Sequence, residues 1–164
     1  MKNRFKFLAF VGLMMAGSAL ADTKIAVVNE ARILQESTQA KQSNATIKSE
    51  FEGTAQEIER LQKELDAEDQ DLQKNRMTMS ESQLKAKQQA LQKKFTEYQK
   101  KQMAFQQSLQ KRQSEELNKL REKAYSAVVK ISKDEGYDLV LSGGVIYSNP
   151  KLDITDQVLQ TMGK

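Results

Sequence analysis

The chain has 164 residues, 29% of them charged and 38% hydrophobic, with neither cysteine nor histidine. The lack of cysteine excludes disulfides and thiolate metal sites, and the lack of histidine removes the commonest metal ligand and general base. The formal charge of +4 overstates the basic balance: Lys2, Arg4 and Lys6 fall in the first 21 positions, and the remainder carries 23 basic against 22 acidic groups, a net of +1.

Residues 1–21 run from a basic start through the apolar stretch LAFVGLMMAGSAL to a small-residue end at Ala19-Leu20-Ala21. That order is the pattern of a cleaved secretory leader. It predicts a mature chain beginning at Asp22 and fits a bacterial periplasm. No later apolar run approaches the roughly 20 residues of a membrane span.

The stretch KIAVVN, residues 24–29, is a short β-branched run apolar on both faces, as a buried strand is. Asn29 is placed to cap a following helix, with Glu30 facing the positive end of its dipole. The polar run STQAKQSNAT from Ser37 predicts a break near Ser43 or Asn44, and then a long helix. The next stop is NRMTMSESQL. There Ser80 with Gln83 forms a capping box, and Met79 with Leu84 takes the two positions of a hydrophobic staple. A helix restarting at Glu81 can run to Glu135, where Gly136 supplies a left-handed stop.

If the chain reverses near Thr78, residues whose numbers sum to 156 face one another. Ile47 then meets Leu109, Phe51 meets Phe105, Ile58 meets Tyr98, Leu61 meets Phe95, Leu65 meets Leu91 and Leu72 meets Leu84. Two layers are polar, Thr54 with Gln102 and Glu68 with Gln88. These positions keep the alternating steps of four and three of a coiled coil, which predicts an antiparallel arm roughly 38 Å long over these layers. Charge follows the register. Residues 48–72 hold nine acidic and three basic groups, whereas residues 74–112 hold ten basic and two acidic. The polar layers weaken the seam and suit a flexible clamp. Met77, Thr78 and Met79 mark the tip, where methionine offers soft apolar contact.

After Leu109 the rhythm changes. Leu117, Leu120, Ala124, Val128 and Ile131 form a stripe out of phase with the arm, so a body begins there. It gathers the first strand, Ile33, Leu34 and the segment YDLVLSGGVIYSN. That segment is expected to form a β-hairpin on the Gly143-Gly144 turn. A last short helix follows Asp153, with Ile154, Val158 and Met162 on one face. The organisation is a leader at 1–21, a body from 22–43 and 113–164, and an arm at 44–112 with its tip near 76–80. The fold class is α+β, mostly α. Three short strands make a poor core for one protomer and leave edges open. The body is therefore expected to be completed by oligomerisation through Ile25, Val27, Leu139, Leu141 and Val145.

No constellation for catalysis or metal binding is present, and no cofactor is implied. Gly143-Gly144 lacks any phosphate-loop context. The candidate functions read from the residues are a flexible clamp for a client, a structural or tethering coiled coil of the cell envelope, and a nucleic-acid binder. The leader and the charge of +1 argue against the last, so no specific nucleic acid is expected.

KIAVVN after a leader, AFQQSLQKRQSEELNKL, YDLVLSGGVIYSN and the closing DITDQVLQTM occur in an order that resembles the Skp/OmpH family of periplasmic chaperones, over essentially all of the mature chain. The resemblance implies a jellyfish-like homotrimer, with a joint β body and three arms around a cavity. It implies binding of unfolded outer-membrane proteins without ATP, and their delivery for outer-membrane assembly. It also implies a lipopolysaccharide site, or contact with an anionic membrane surface, at residues 101–112, where Lys101, Lys111 and Arg112 take the basic positions. Arm-to-arm ion pairing with Glu50, Glu52 and their neighbours competes for the same cations.

Overall fold

The computed structural model describes residues 23–163; the expected leader lies outside the described residues. Strand β1 (Ile25–Val28) leads into helix α1 (Glu30–Glu36). Asn29 caps α1 by accepting the Arg32 N–H at 3.0 Å, which satisfies one of the donors a helix start leaves free. Helix α2 (Thr38–Asn75) descends the arm, and helix α3 (Glu81–Glu135) returns and enters the body. Strand β2 (Leu139–Ser142), a short 3₁₀ turn (Pro150–Leu152) and helix α4 (Thr155–Thr161) complete the chain.

The arm turns where the capping residues place it. Ser80 accepts from the Gln83 N–H while the Gln83 side chain accepts from the Ser80 N–H, and α3 starts at Glu81. Gly136, at φ +69°, ends α3 in the left-handed region that favours glycine. Phe51 and Phe105 meet edge to face with centroids 5.7 Å apart, a favoured aromatic geometry. That contact sets the antiparallel register around a sum of 156. Leu65 and Ile47 are buried in the seam.

Two expectations are corrected. The helical break falls at Ser37, not near Ser43 or Asn44. Ser37 is buried, holds an extended ψ of 142° and caps α2 by accepting the Ala40 N–H at 3.2 Å. Beyond it the polar run contains no glycine or proline. Ala40 and Ile47, seven residues apart on one face, bury themselves while the polar residues between them mostly face water.

The second correction concerns the hairpin. Strand β2 pairs parallel with β1, Ile25 opposite Leu139 and Val27 opposite Leu141, in a two-stranded sheet. Reciprocal bonds of 2.8 Å between Lys24 and Asp138 fix that register at its start. Gly143 and Gly144 have φ of +67° and +66°, yet the chain after them does not return along β2. Asn149 caps the 3₁₀ turn at Pro150, and the Ile154 N–H donates to the Val27 carbonyl at 3.0 Å. The chain must therefore reach the far edge of β1. Residues 143–149 make that crossing, and a crossing segment cannot also pair back onto β2.

The body core is small. Ala26, Val28, Ile33, Ala124, Ala127, Ile131, Ile154, Val158 and Leu159 form it, and three of these are alanines. Relative to the expected stripe, Leu117 drops out at 38% exposure and Ala127 joins.

Body and arm meet at Glu116. Its carboxylate accepts from Ser43 on α2 at 2.7 Å, from Arg112 and from Lys119 at 3.0 Å. Arg112 also reaches Glu50 at 3.0 Å. The Ser43 hydroxyl first, then the Arg112 and Lys119 cations, hold the Glu116 carboxyl down to about 2 from an ordinary 4.5. A carboxylate depressed in the folded state stabilises it fully above the unfolded value and loses that stabilisation as pH falls through the folded value. We expect Glu116→Gln to lower the urea midpoint at neutral pH, and the wild-type and variant curves to converge as pH falls from 4.5 toward 2. Curves that stay parallel over that window would remove Glu116 from the junction.

Candidate functional site

Two surfaces stand out, one on the body and one along the arm. On the body, alternation along β1 sends Ala26 and Val28 into the core and leaves Ile25 and Val27 on the opposite face. The parallel register puts Leu139 and Leu141 beside them. These two leucines are 46% and 40% exposed, whereas Ile25 and Val27 are half-buried. Four of the five expected assembly residues therefore share one sheet face. Val145 sits apart on the crossing segment, at 37% exposure, next to Ile146 and Tyr147. Ile146, Tyr147 and Tyr125 are also exposed apolar groups of the body. Ile146 and Tyr147 fall on the returning strand that the sequence suggests; the apolar run Val145-Ile146-Tyr147 was the signal available.

Along the arm, cations of α3 bridge to acids of α2. Lys87 meets Asp71 at 2.5 Å, Lys94 meets Glu68, and Lys101 meets Glu57. The Lys101 ammonium holds the Glu57 carboxyl below its usual range, and Lys87 does the same for Asp71. Glu68 raises Lys94. Glu116, then Glu50, raise Arg112. Each shift favours the charged form, so the pairs persist at neutral pH.

The polar positions do not all act as facing layers. Glu68 sends its carboxylate to Lys94 rather than to Gln88. Gln88 and Thr54 are exposed, whereas Gln102 is half-buried. At the tip Met77 is 93% exposed, Met79 is half-buried, and the Thr78 hydroxyl donates to the Asn75 carbonyl at 2.9 Å. Of the three basic candidates, Lys101 and Arg112 are engaged by Glu57, Glu50 and Glu116. Lys111 extends its side chain at 80% exposure, 4.0 Å from Glu115. The three do not converge on one open site. In sequence the pair Glu115-Glu116 reads as solvated surface; the structure corrects this for Glu116, whose side chain is 12% exposed and accepts from Ser43, and its spacing of four from Arg112 was the available signal.

Comparison with known proteins agrees with this architecture. Residues 24–162 match the family described as Outer membrane protein (OmpH-like). The chain is 33% identical over 154 residues to the chaperone protein Skp of Yersinia enterocolitica, covering 93% of this chain and 94% of that one. It is 34% identical over 155 residues to the Skp of Pectobacterium atrosepticum, with the same coverages. The crystal structure of an OmpH-like protein from Caulobacter crescentus superposes with a TM-score of 0.75 at 20% identity, over 85% of this chain and 83% of that one. With an antiparallel helical arm, a two-stranded parallel sheet and a match spanning both, the chain belongs to the OmpH-like family.

Proposed function

We propose that the protein is a periplasmic holdase chaperone. It binds unfolded outer-membrane β-barrel proteins between helical arms, without ATP or any enzymatic step, and hands them on for membrane assembly. One observation carries the reading. The partly exposed apolar face of Ile25, Val27, Leu139 and Leu141 lies at the root of helices 38 and 55 residues long. Apolar surface of this kind is buried by association, and association through the root leaves the arms projecting around a shared space. A trimer is the assembly that the family resemblance supports. The names of the relatives and the leader-like N-terminus support the periplasmic setting.

The contact with client is expected to be weak and distributed. The arm exposes single apolar groups such as Met77, Phe95 and Met103 rather than one large pocket, so it can hold a client without fixing its shape. Binding of lipopolysaccharide at Lys101, Lys111 and Arg112 would have to displace Glu57 and Glu50 from two of the cations, so it ranks second.

Two measurements test the reading. Light scattering of a urea-denatured outer-membrane barrel protein diluted into buffer should fall when the mature chain is present at equal subunit ratio; unchanged scattering with a folded oligomer would leave a structural coiled coil. In the second, Leu139→Asp with Leu141→Asp should abolish oligomers in sedimentation velocity, because each places an uncompensated charge on an apolar interface. Oligomers of unchanged mass would show that association uses another surface.

A further inference from the structure

The two flanks of the arm are not equivalent. The α2 positions just before the inward residues Phe51, Ile58, Leu65 and Leu72 are Glu50, Glu57, Glu64 and Asp71. In an antiparallel pair they face Lys87, Lys94, Lys101 and Ser108. Every cation–acid bridge across the arm lies on this side. The other flank sets Ala55 and Gln62 opposite Gln99 and Gln92, and nearest the tip Asp69 opposite Lys85. Among the described residues, no ion pair crosses it between residues 48 and 106.

Near the tip this unbridged flank opens into a groove of about 440 Å³ floored by Leu65, Leu72, Leu91 and Phe95. Phe95 is 44% exposed. Asp66 and Asp69 stand on its rim. They accept from the side-chain amides of Gln62 at 3.2 Å and Gln73 at 2.6 Å, and neither has a cationic partner among the described residues.

We propose that this groove takes an extended segment of unfolded polypeptide with apolar side chains at alternate residues and a Lys or Arg beside them. The inference rests on the chaperone reading and names the part of the client that is recognised. Spacing fits: the groove floor from Leu65 to Leu72 runs seven helical residues, about 10 Å, and side chains two residues apart on one face of an extended segment are about 7 Å apart, so two of them lie within it together. Charge fits too. The rim acids lack the cation that the acids Glu50, Glu57 and Asp71 of the other flank possess, and a basic client residue supplies it. The flanking glutamines offer amides that can bond to any extended backbone.

The test uses the full mature chain with a photoreactive side chain placed at Gln92, on the groove, or at Ala90, on the ion-paired flank. A barrel protein diluted from urea should cross-link from Gln92 and weakly from Ala90. A peptide of alternating Leu and Ser with a central Arg should compete up to about fivefold better than the same peptide with Asp. Gln62→Glu with Gln92→Lys, which builds the missing bridge, should weaken binding of the Arg peptide while helix content stays unchanged. Equal cross-linking from both flanks, with aggregation still suppressed, would overturn the groove and leave the chaperone reading standing. Cross-links from Gln92 to another copy of the chain in the absence of client would assign the groove to self-assembly and overturn it. Absence of any aggregation suppression would overturn both readings.

Discussion

The structure depends on one unmet requirement, the covering of the outer sheet face. A two-stranded sheet is marginal by itself, and the nine side chains behind this one include three alanines. Ile25, Val27, Leu139 and Leu141 are as apolar as the core residues that alternate with them, yet they face outward. A chain with so little interior cannot leave that surface in water cheaply. The parallel pairing explains how it arises. The two strands come from opposite ends of the chain, so the sheet forms only once the whole arm has folded back on itself. Completion of the body and closure of the arm are thus a single event.

The arm meets its own requirement differently. Its seam is one residue pair deep, so stability accrues layer by layer along the register that Phe51 and Phe105 mark. Ion pairs on one flank fix which helix lies where without adding much stability each. The other flank omits them, and the groove beside the seam there is about 440 Å³ against about 230 Å³ on the ion-paired side. At the root, Glu116 ties α2 to α3 through Ser43 and Arg112. Motion of the arm relative to the body has to bend the continuous helix α3 and disturb the buried Ala40 and Leu120 as well as that clasp.

Most of this organisation was legible in the sequence because it rests on local rules. The capping box at Ser80, the glycine stop at Gly136 and the Asn29 cap are short-range signals, and the steps of four and three along α2 and α3 give the register by arithmetic. The break at Ser37 was missed because a buried serine cap looks like any polar residue until its surroundings are known. The hairpin failed for a topological reason. Gly143-Gly144 favours a tight turn, but the bond from Ile154 to Val27 requires the chain to cross β1, and no local pattern encodes that. Of the site residues, the sheet-face apolar set was readable from alternation. The engagement of Lys101 and Arg112 by α2 acids was foreseen only as a competing possibility, since it depends on side-chain reach across the arm. The openness of the tip-proximal groove follows from which flank carries the ion pairs, a comparison that needs the register first.

We propose that folding of the body and association of protomers are one process. The direct measurement is a dilution series of the wild-type mature chain, followed at once by sedimentation equilibrium for mass and by circular dichroism for helix content. Loss of the oligomer on dilution should be accompanied by loss of helix, with no folded monomer at any concentration. A monomer that keeps its full helical signal after the oligomer has dissociated would show that the sheet face is dispensable, and would contradict the claim.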